Sequence, residues 1–389
     1  MNDFVLSVHE PRRAYRLAVS ALFFLQGICF ASWASRIPSI QQSLSLSDAS
    51  LGMVLFALPV GSMIGLPFSG WLVTKFGSKK IATNALLLYS ILLVFIGLAQ
   101  NIVLLVSTLV LFGMAGNISN IAINTQAVAV EAKYRRNIMA SFHGLWSLAG
   151  FSAAGIGTFM IGKGIIPFTH FLIITSLILA GLAGAFNYLI IDEERPETPA
   201  KLFVRPDKSL LTLGITAFCC MLCEGAMFDW SGIYFQKVVG ADTDWIGAGY
   251  TAFMCTMATG RFIADRVSHR IGFKRTVQLS GVLIALGLGI AVSFPVLVTA
   301  IIGFFIVGFG VSSVVPLVYS EAGRSKKISP GMALAAVSSI GFLGFLVGPP
   351  LIGMVAGLFN LRISFLIIAV IGLIVVLIAG GKKQASSTE

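Results

Sequence analysis

Charge is scarce in this chain. Only 11% of its 389 residues are Asp, Glu, Lys or Arg, against about 25% in a soluble domain. With 57% hydrophobic residues beside it, that shortage excludes a soluble enzyme, a disordered chain and a secreted disulfide scaffold. Cysteine is scarce too, and Cys29, Cys219, Cys220, Cys223 and Cys255 all lie in apolar stretches. Cys220 and Cys223 have CxxC spacing, but no neighbouring ligands complete a zinc or redox site. They read as small apolar helix residues, so neither a metal nor a structural disulfide is expected. HExxH and GxSxG motifs are missing. Gly157–Lys163 looks like the start of a P-loop, yet Gly164 stands where Ser or Thr would bind magnesium, and no strand precedes it. No nucleophile–base pair emerges either, so the chain is expected to be no enzyme and to need no cofactor.

What is abundant is the long apolar run. A helix crossing the hydrocarbon core needs about 20 residues, and twelve segments approach or exceed that length. They are 16–41, 50–74, 81–99, 102–130, 138–161, 168–191, 209–235, 246–266, 277–294, 296–322, 332–358 and 361–380. The first follows a polar stretch with Arg12, Arg13 and Arg16 and reads as an anchor helix, not a cleaved signal. Glycine, 41 residues in all, suits close helix–helix approach in lipid.

The net charge of +11 would suggest nucleic acid in a soluble chain. Here the basic residues sit between apolar runs, so the expected partner is the lipid bilayer and not nucleic acid. Counted on alternate sides of twelve spans, 22 Lys and Arg fall in one set of loops and tails. The other set holds only Lys163, Lys237 and Arg362. The positive-inside rule then places both termini in the cytoplasm. The loop 192–208 carries nine charges and three prolines and reads as a cytoplasmic linker. It would join an N-terminal bundle, 1–191, to a C-terminal bundle with a short tail, 209–389.

The halves echo each other. Ala31-Ser32-Trp33-Ala34-Ser35 matches Phe228-Asp229-Trp230-Ser231-Gly232, and Val130-Glu131-Ala132 matches Ser320-Glu321-Ala322. Lys75-Phe76-Gly77-Ser78-Lys79-Lys80 has a relative in Gly272-Phe273-Lys274-Arg275. The offsets run from 190 to 197 residues, about half the chain. Parallel repeats of this kind place a substrate site between the halves near mid-membrane.

Ionisable groups inside a membrane are functional suspects. Arg36 lies roughly 30 Å along the first span and Glu224 about 22 Å along the seventh. Asp229 is deeper still, and His143 is about 8 Å into the fifth. Arg36 and Asp229 either snorkel to the interface or share an outer vestibule, with Arg36 pairing with Asp229 first and Glu224 second. Glu224 is too short to snorkel, so it either moves a proton or forms a structural salt bridge. Asn117, Asn120 and Asn124 share one helix face. They line a polar cavity or tie helices together as amides. Trp33, Trp146 and Trp230 stack on a solute or anchor at the interface.

Gly260-Arg261-Phe262-Ile263-Ala264-Asp265-Arg266 and Gly70-Trp71-Leu72-Val73-Thr74-Lys75-Phe76-Gly77 resemble the signature of the major facilitator superfamily, Gly-x-x-x-Asp-Arg/Lys-x-Gly. The resemblance extends over the whole chain. It is strengthened by similarity to bacterial inner-membrane members of that superfamily in Phe142-His143-Gly144, Cys223-Glu224-Gly225-Ala226 with Asp229-Trp230, and Phe345-Leu346-Val347-Gly348-Pro349-Pro350. It implies an all-α membrane protein with twelve transmembrane helices in two pseudo-symmetric six-helix bundles. It also implies a cytoplasmic gate, to which Gly260, Asp265, Arg266 and Glu321 correspond. Thr74 stands where the family has an acid, which weakens the first-half gate. The fucose–proton symporter group is a more distant likeness. Its acids in the first and fourth helices correspond to Ala34, Ser35 and asparagines here, so fucose transport is not implied.

These readings converge on a secondary transporter acting as a monomer in a bacterial inner membrane. It would move a small polar organic solute, with protons as driver and Glu224 and Asp229 as proton-coupling acids. Arg36, Asn117, Asn120, Asn124, His143, Trp33, Trp146 and Trp230 would bind the solute. A proton-driven exporter of amphipathic compounds and a non-transporting membrane sensor are the alternatives.

Overall fold

A computed structural model describes residues 12–134, 138–191, 208–323 and 330–380. Every regular element among them is helical. The N-terminal half holds α1 (Arg12–Ser35), α2 (Ile37–Ser43), α3 (Asp48–Leu55), α4 (Ala57–Phe76), α5 (Ser78–Gly97), α6 (Ile102–Tyr134), α7 (Met139–Gly162) and α8 (Pro167–Ala185). The C-terminal half holds α9 (Lys208–Tyr234), α10 (Ala248–Ile271), α11 (Phe273–Ser293), α12 (Leu297–Ser312), α13 (Val314–Gly323), α14 (Pro330–Leu358) and α15 (Leu361–Gly380). The expected linker, 192–208, lies outside the described residues apart from Lys208.

Three expected spans are broken, and proline explains each break. Pro38, Pro59 and Pro316 have no N–H to give and clash with the carbonyl four residues back. Those carbonyls belong to Ala34, Leu55 and Ser312. The preceding helices stop at Ser35, Leu55 and Ser312, so α1–α2, α3–α4 and α12–α13 are jointed pairs.

Eleven helical runs among the described residues are long and apolar enough to cross a membrane. The twelfth crossing is α10, whose 24 residues reach about 36 Å. It falls short on apolarity alone, since it carries Arg261, Asp265, Arg266 and Arg270. The chain therefore alternates between two ends of the bundle. Arg12 and Gly380 share one, called here the terminal end; the opposite one is the far end.

The two halves repeat in three dimensions at an offset of 195 residues. Gly77 has φ 82° and Gly272 φ 83°, a left-handed-side backbone that side chains resist. They separate α4 from α5 and α10 from α11 in the same way. A Cβ on Gly113 would strike the Leu58 carbonyl, and one on Gly308 would strike the Phe253 carbonyl; 58 and 253 are again 195 apart. Lipid supplies no hydrophobic drive between helices, so backbone approach of this kind holds them together. In the same way α1 packs on α7 as α9 packs on α14, and α4 on α6 as α10 on α12. Between the bundles, α3 meets α14 as α10 meets α7.

This register revises the signature alignment. Aligned on Gly77 and Gly272, Thr74 falls opposite His269, and Asp265 falls opposite Gly70, one helical turn away from the acid position. Gly260 falls opposite Gly65. Both are packing sites, Gly260 against Ser312 and Gly65 against Met114. By contrast Gly70 has open space beside it.

Candidate functional site

A cavity of about 420 Å³ lies between the bundles, lined from both. From the N-terminal half α1 contributes Gln26, Phe30 and Trp33, α6 contributes Asn117 and Asn120, and α7 contributes His143 and Trp146. From the C-terminal half α9 contributes Glu224, Phe228 and Asp229, α10 contributes Arg261, α13 contributes Tyr319, and α14 contributes Phe342 and Phe345.

Arg261 is the centre of its electrostatics. Its Nη2 lies 3.1 Å from Glu224 Oε1, and its Nη1 donates to Ser147 Oγ at 2.8 Å. The guanidinium carbon also sits 5.9 Å from the Trp146 ring centroid, within cation–π range. Glu224 and Arg261 belong to one bundle, Ser147 and Trp146 to the other, so one side chain ties the two. Side-chain exposure is 21% for Arg261 and 8% for Glu224. A pair buried to that degree is costly to break from one side, about 3–5 kcal/mol.

Seven of the expected site residues line this cavity: Glu224, Asp229, Asn117, Asn120, His143, Trp33 and Trp146. Of the three amides, Asn117 and Asn120 line the cavity, and Asn117 also ties two helices together. Asn117 lines the cavity and also accepts from Ser69 Oγ of α4 at 2.9 Å. Asn124 turns back along its own helix and donates to the Asn120 carbonyl at 2.8 Å. It does not line the cavity. His143 packs edge-on against Phe23, with ring centroids 5.2 Å apart.

Arg36 corrects the expectation of an ion pair with Asp229 or Glu224. It is buried and donates to the Ile165 carbonyl in the α7–α8 turn. Among the described residues no carboxylate pairs with it. Helix α1 ends at Ser35, one residue before it, and the α7–α8 turn supplies a backbone carbonyl in place of a carboxylate. Trp230 is buried away from the cavity, its Nε1 without a hydrogen-bond partner among the described residues. Of the expected gate residues, Arg266 is exposed on α10 and Glu321 is half-buried on the last turn of α13. The side chain of Asp265 lies outside those described.

Sequence reasoning missed Arg261 and Gln26 as site residues. Arg261 is 13 residues from the start of α10, mid-membrane by the same arithmetic that singled out Glu224. Gln26 Nε2 donates to the Gly116 carbonyl at 3.2 Å, and its Oε1 has no described partner.

The far end is sealed between the bundles. Lys237 Nζ lies 2.5 Å from Asp48 Oδ1, and Gln41 Nε2 donates to that oxygen at 2.8 Å. Thr158 and Thr251 share a hydrogen bond of 3.2 Å. Gly52 meets Gly353 so closely that a Cβ on either would crowd the other's backbone. Beneath this seal Phe30 and Phe228 meet edge to face, 5.4 Å between centroids.

A twelve-helix, two-bundle fold around a central cavity defines a membrane transporter architecture, and the comparisons agree. Residues 19–326 match the family model of the Major Facilitator Superfamily. Membrane protein MosC of Rhizobium meliloti is 34% identical over 92% of this chain and 88% of its own. An uncharacterized MFS-type transporter of Yersinia pestis is 32% identical, with 92% of each chain covered. Among solved structures, the nucleoside transporter NupG superposes with a TM-score of 0.76 at 14% identity, over 94% of this chain and 99% of that one. A bacterial homolog of the human lysosomal transporter Spinster gives 0.75 at 16% identity, over 95% and 96%. The chain belongs to the Major Facilitator Superfamily and is a multi-pass membrane protein.

Proposed function

We propose that this protein is a monomeric secondary transporter that moves a small polar organic solute by alternating access, coupled to protons. The observation that carries the reading is the Glu224–Arg261–Ser147 bridge, which spans the two bundles at the wall of their shared cavity. Protonation of Glu224 removes the charge that holds Arg261 and so alters the tie between the bundles. The 22-to-3 distribution of basic residues supports placing the terminal end in the cytoplasm of a bacterium bounded by an inner membrane. The sealed far end is then the outer face, and the arrangement is that of an inward-facing state. The aromatic lining from Phe30, Phe228, Phe342 and Phe345 supports a second reading, an exporter of amphipathic compounds.

The test is transport by Glu224→Gln in proteoliposomes, with a solute found by thermal-shift screening, since a ligand of the folded state raises its apparent stability. Proton-driven accumulation should vanish while exchange of solute across the membrane survives. If the variant still concentrates solute under an imposed pH gradient, Glu224 is structural and coupling lies elsewhere, with Asp229 next in line.

A further inference from the structure

We infer that the solute carries a positively charged amine or ammonium group, for which Asp229 is the counter-ion in the cavity. This rests on the transporter reading above and adds the chemical class of the cargo.

The charges lining the cavity are not balanced among themselves. Two carboxyl groups and one guanidinium line the cavity, Glu224, Asp229 and Arg261, together with His143. Arg261 is committed to Glu224 at 3.1 Å. The other cation at similar depth, Arg36, is directed to the Ile165 carbonyl. Among the described residues Asp229 has neither a hydrogen-bond donor nor an ion-pair partner. Its neighbours Leu222 to Phe228 and Trp230 to Ser231 are buried, whereas Asp229 is only partly buried and lines the cavity. A carboxylate within such low-dielectric walls calls for a compensating charge.

An anionic solute would meet uncompensated repulsion there. A neutral polyol would supply hydrogen bonds but no charge. A cation neutralises Asp229, and the rings of Phe30 and Phe228 line the same cavity, where aromatic faces attract cations. The Asp229 equivalent in the other half is Ala34, 195 residues earlier, so the carboxylate is no part of the repeated scaffold.

The test is equilibrium binding to the purified full-length protein in detergent, by calorimetry, with isosteric pairs. These are tyramine against tyrosol, glucosamine against glucose, and choline against 3,3-dimethylbutanol, with 4-hydroxyphenylacetate as the anionic probe. At least one amine or ammonium member should bind about tenfold or more tightly than its neutral partner. Asp229→Asn should abolish that preference and Asp229→Glu should retain it. Binding of neutral or anionic members in preference to the cations overturns the inference. So does failure of every cation in the panel, or a preference that survives in Asp229→Asn. If Asp229→Asn does not fold, the wild-type panel still decides. No gradient is involved, so a failure of the Glu224 coupling test leaves this result unaffected.

Discussion

The two halves of this protein share a backbone but not a chemistry. At the 195-residue register, the contacts that hold helices together are kept: Gly113 with Leu58 has its counterpart in Gly308 with Phe253, and Gly77 in Gly272. At the cavity the correspondence fails. Glu224, Asp229 and Arg261 line it from the C-terminal half, and their counterparts are Cys29, Ala34 and Leu66. In return the N-terminal half offers Gln26, Asn117 and Asn120, opposite Met221, Ser312 and Val315. One bundle supplies the charges and the other the neutral hydrogen-bonding wall. On the proposed mechanism, pseudo-symmetry would serve the rocking of two similar bodies, and the asymmetry would give the cavity one side on which protonation acts.

The most severe way to break this asymmetry is to give the charged half its partner's residue. Arg261→Leu copies Leu66 and leaves Glu224 buried beside no cation, at a cost of about 3–5 kcal/mol. Thermal unfolding in detergent should show the largest loss of any single variant here. Adding Glu224→Gln to it should recover part of that loss, because the uncompensated charge is gone. Equal stability of Arg261→Leu and wild type would contradict the bridge.

A milder perturbation probes the part that is symmetric. Gly113→Val and Gly308→Val each push a side chain into a facing carbonyl, and overpacking of that kind costs about 1–3 kcal/mol. The two should cost alike. Gly70→Ala, with open space beside it, should stay within about 0.5 kcal/mol of wild type. A large difference between the first two, read from unfolding midpoints, would break the structural repeat.

Much of this was legible in the sequence, and the parts that were not have physical reasons. Eleven apolar runs, a twelfth span that α10 fills despite its charges, and a cavity lined by Glu224, Asp229, Asn117 and Asn120 follow from length, burial cost and helical spacing. The register of the repeat was not legible, because matches such as Trp33 with Trp230 drift with loop length, whereas backbone contacts such as Gly113 on Leu58 do not. That drift misplaced the signature acid by one turn of α10. Arg261 was hidden by the company it keeps: beside Gly260 and near Arg266 it reads as part of the signature motif closing a span, while in three dimensions it is mid-helix at the cavity wall. Arg36 failed for a different reason, since depth along a helix says nothing of the direction in which a side chain points, and its guanidinium goes to the Ile165 carbonyl.

The smallest effect belongs to the seal. Lys237, with 40% side-chain exposure, and Asp48, with 17%, form an ion pair at the far end that is worth no more than about 1 kcal/mol. Lys237→Met should therefore shift the balance of states by about fivefold at most and leave stability nearly unchanged. The direct measurement is the distance between spin labels at Lys163 and Asp242, exposed positions on opposite bundles at that end, in reconstituted protein. The account predicts two populations, a short distance for the sealed state and a longer one for the opened state. The longer should gain weight in Lys237→Met and again in Arg261→Leu, where the tie through Ser147 is also lost. A single short distance, unchanged in both variants, would contradict the claim that these two bundles move against each other around the Glu224–Arg261 bridge.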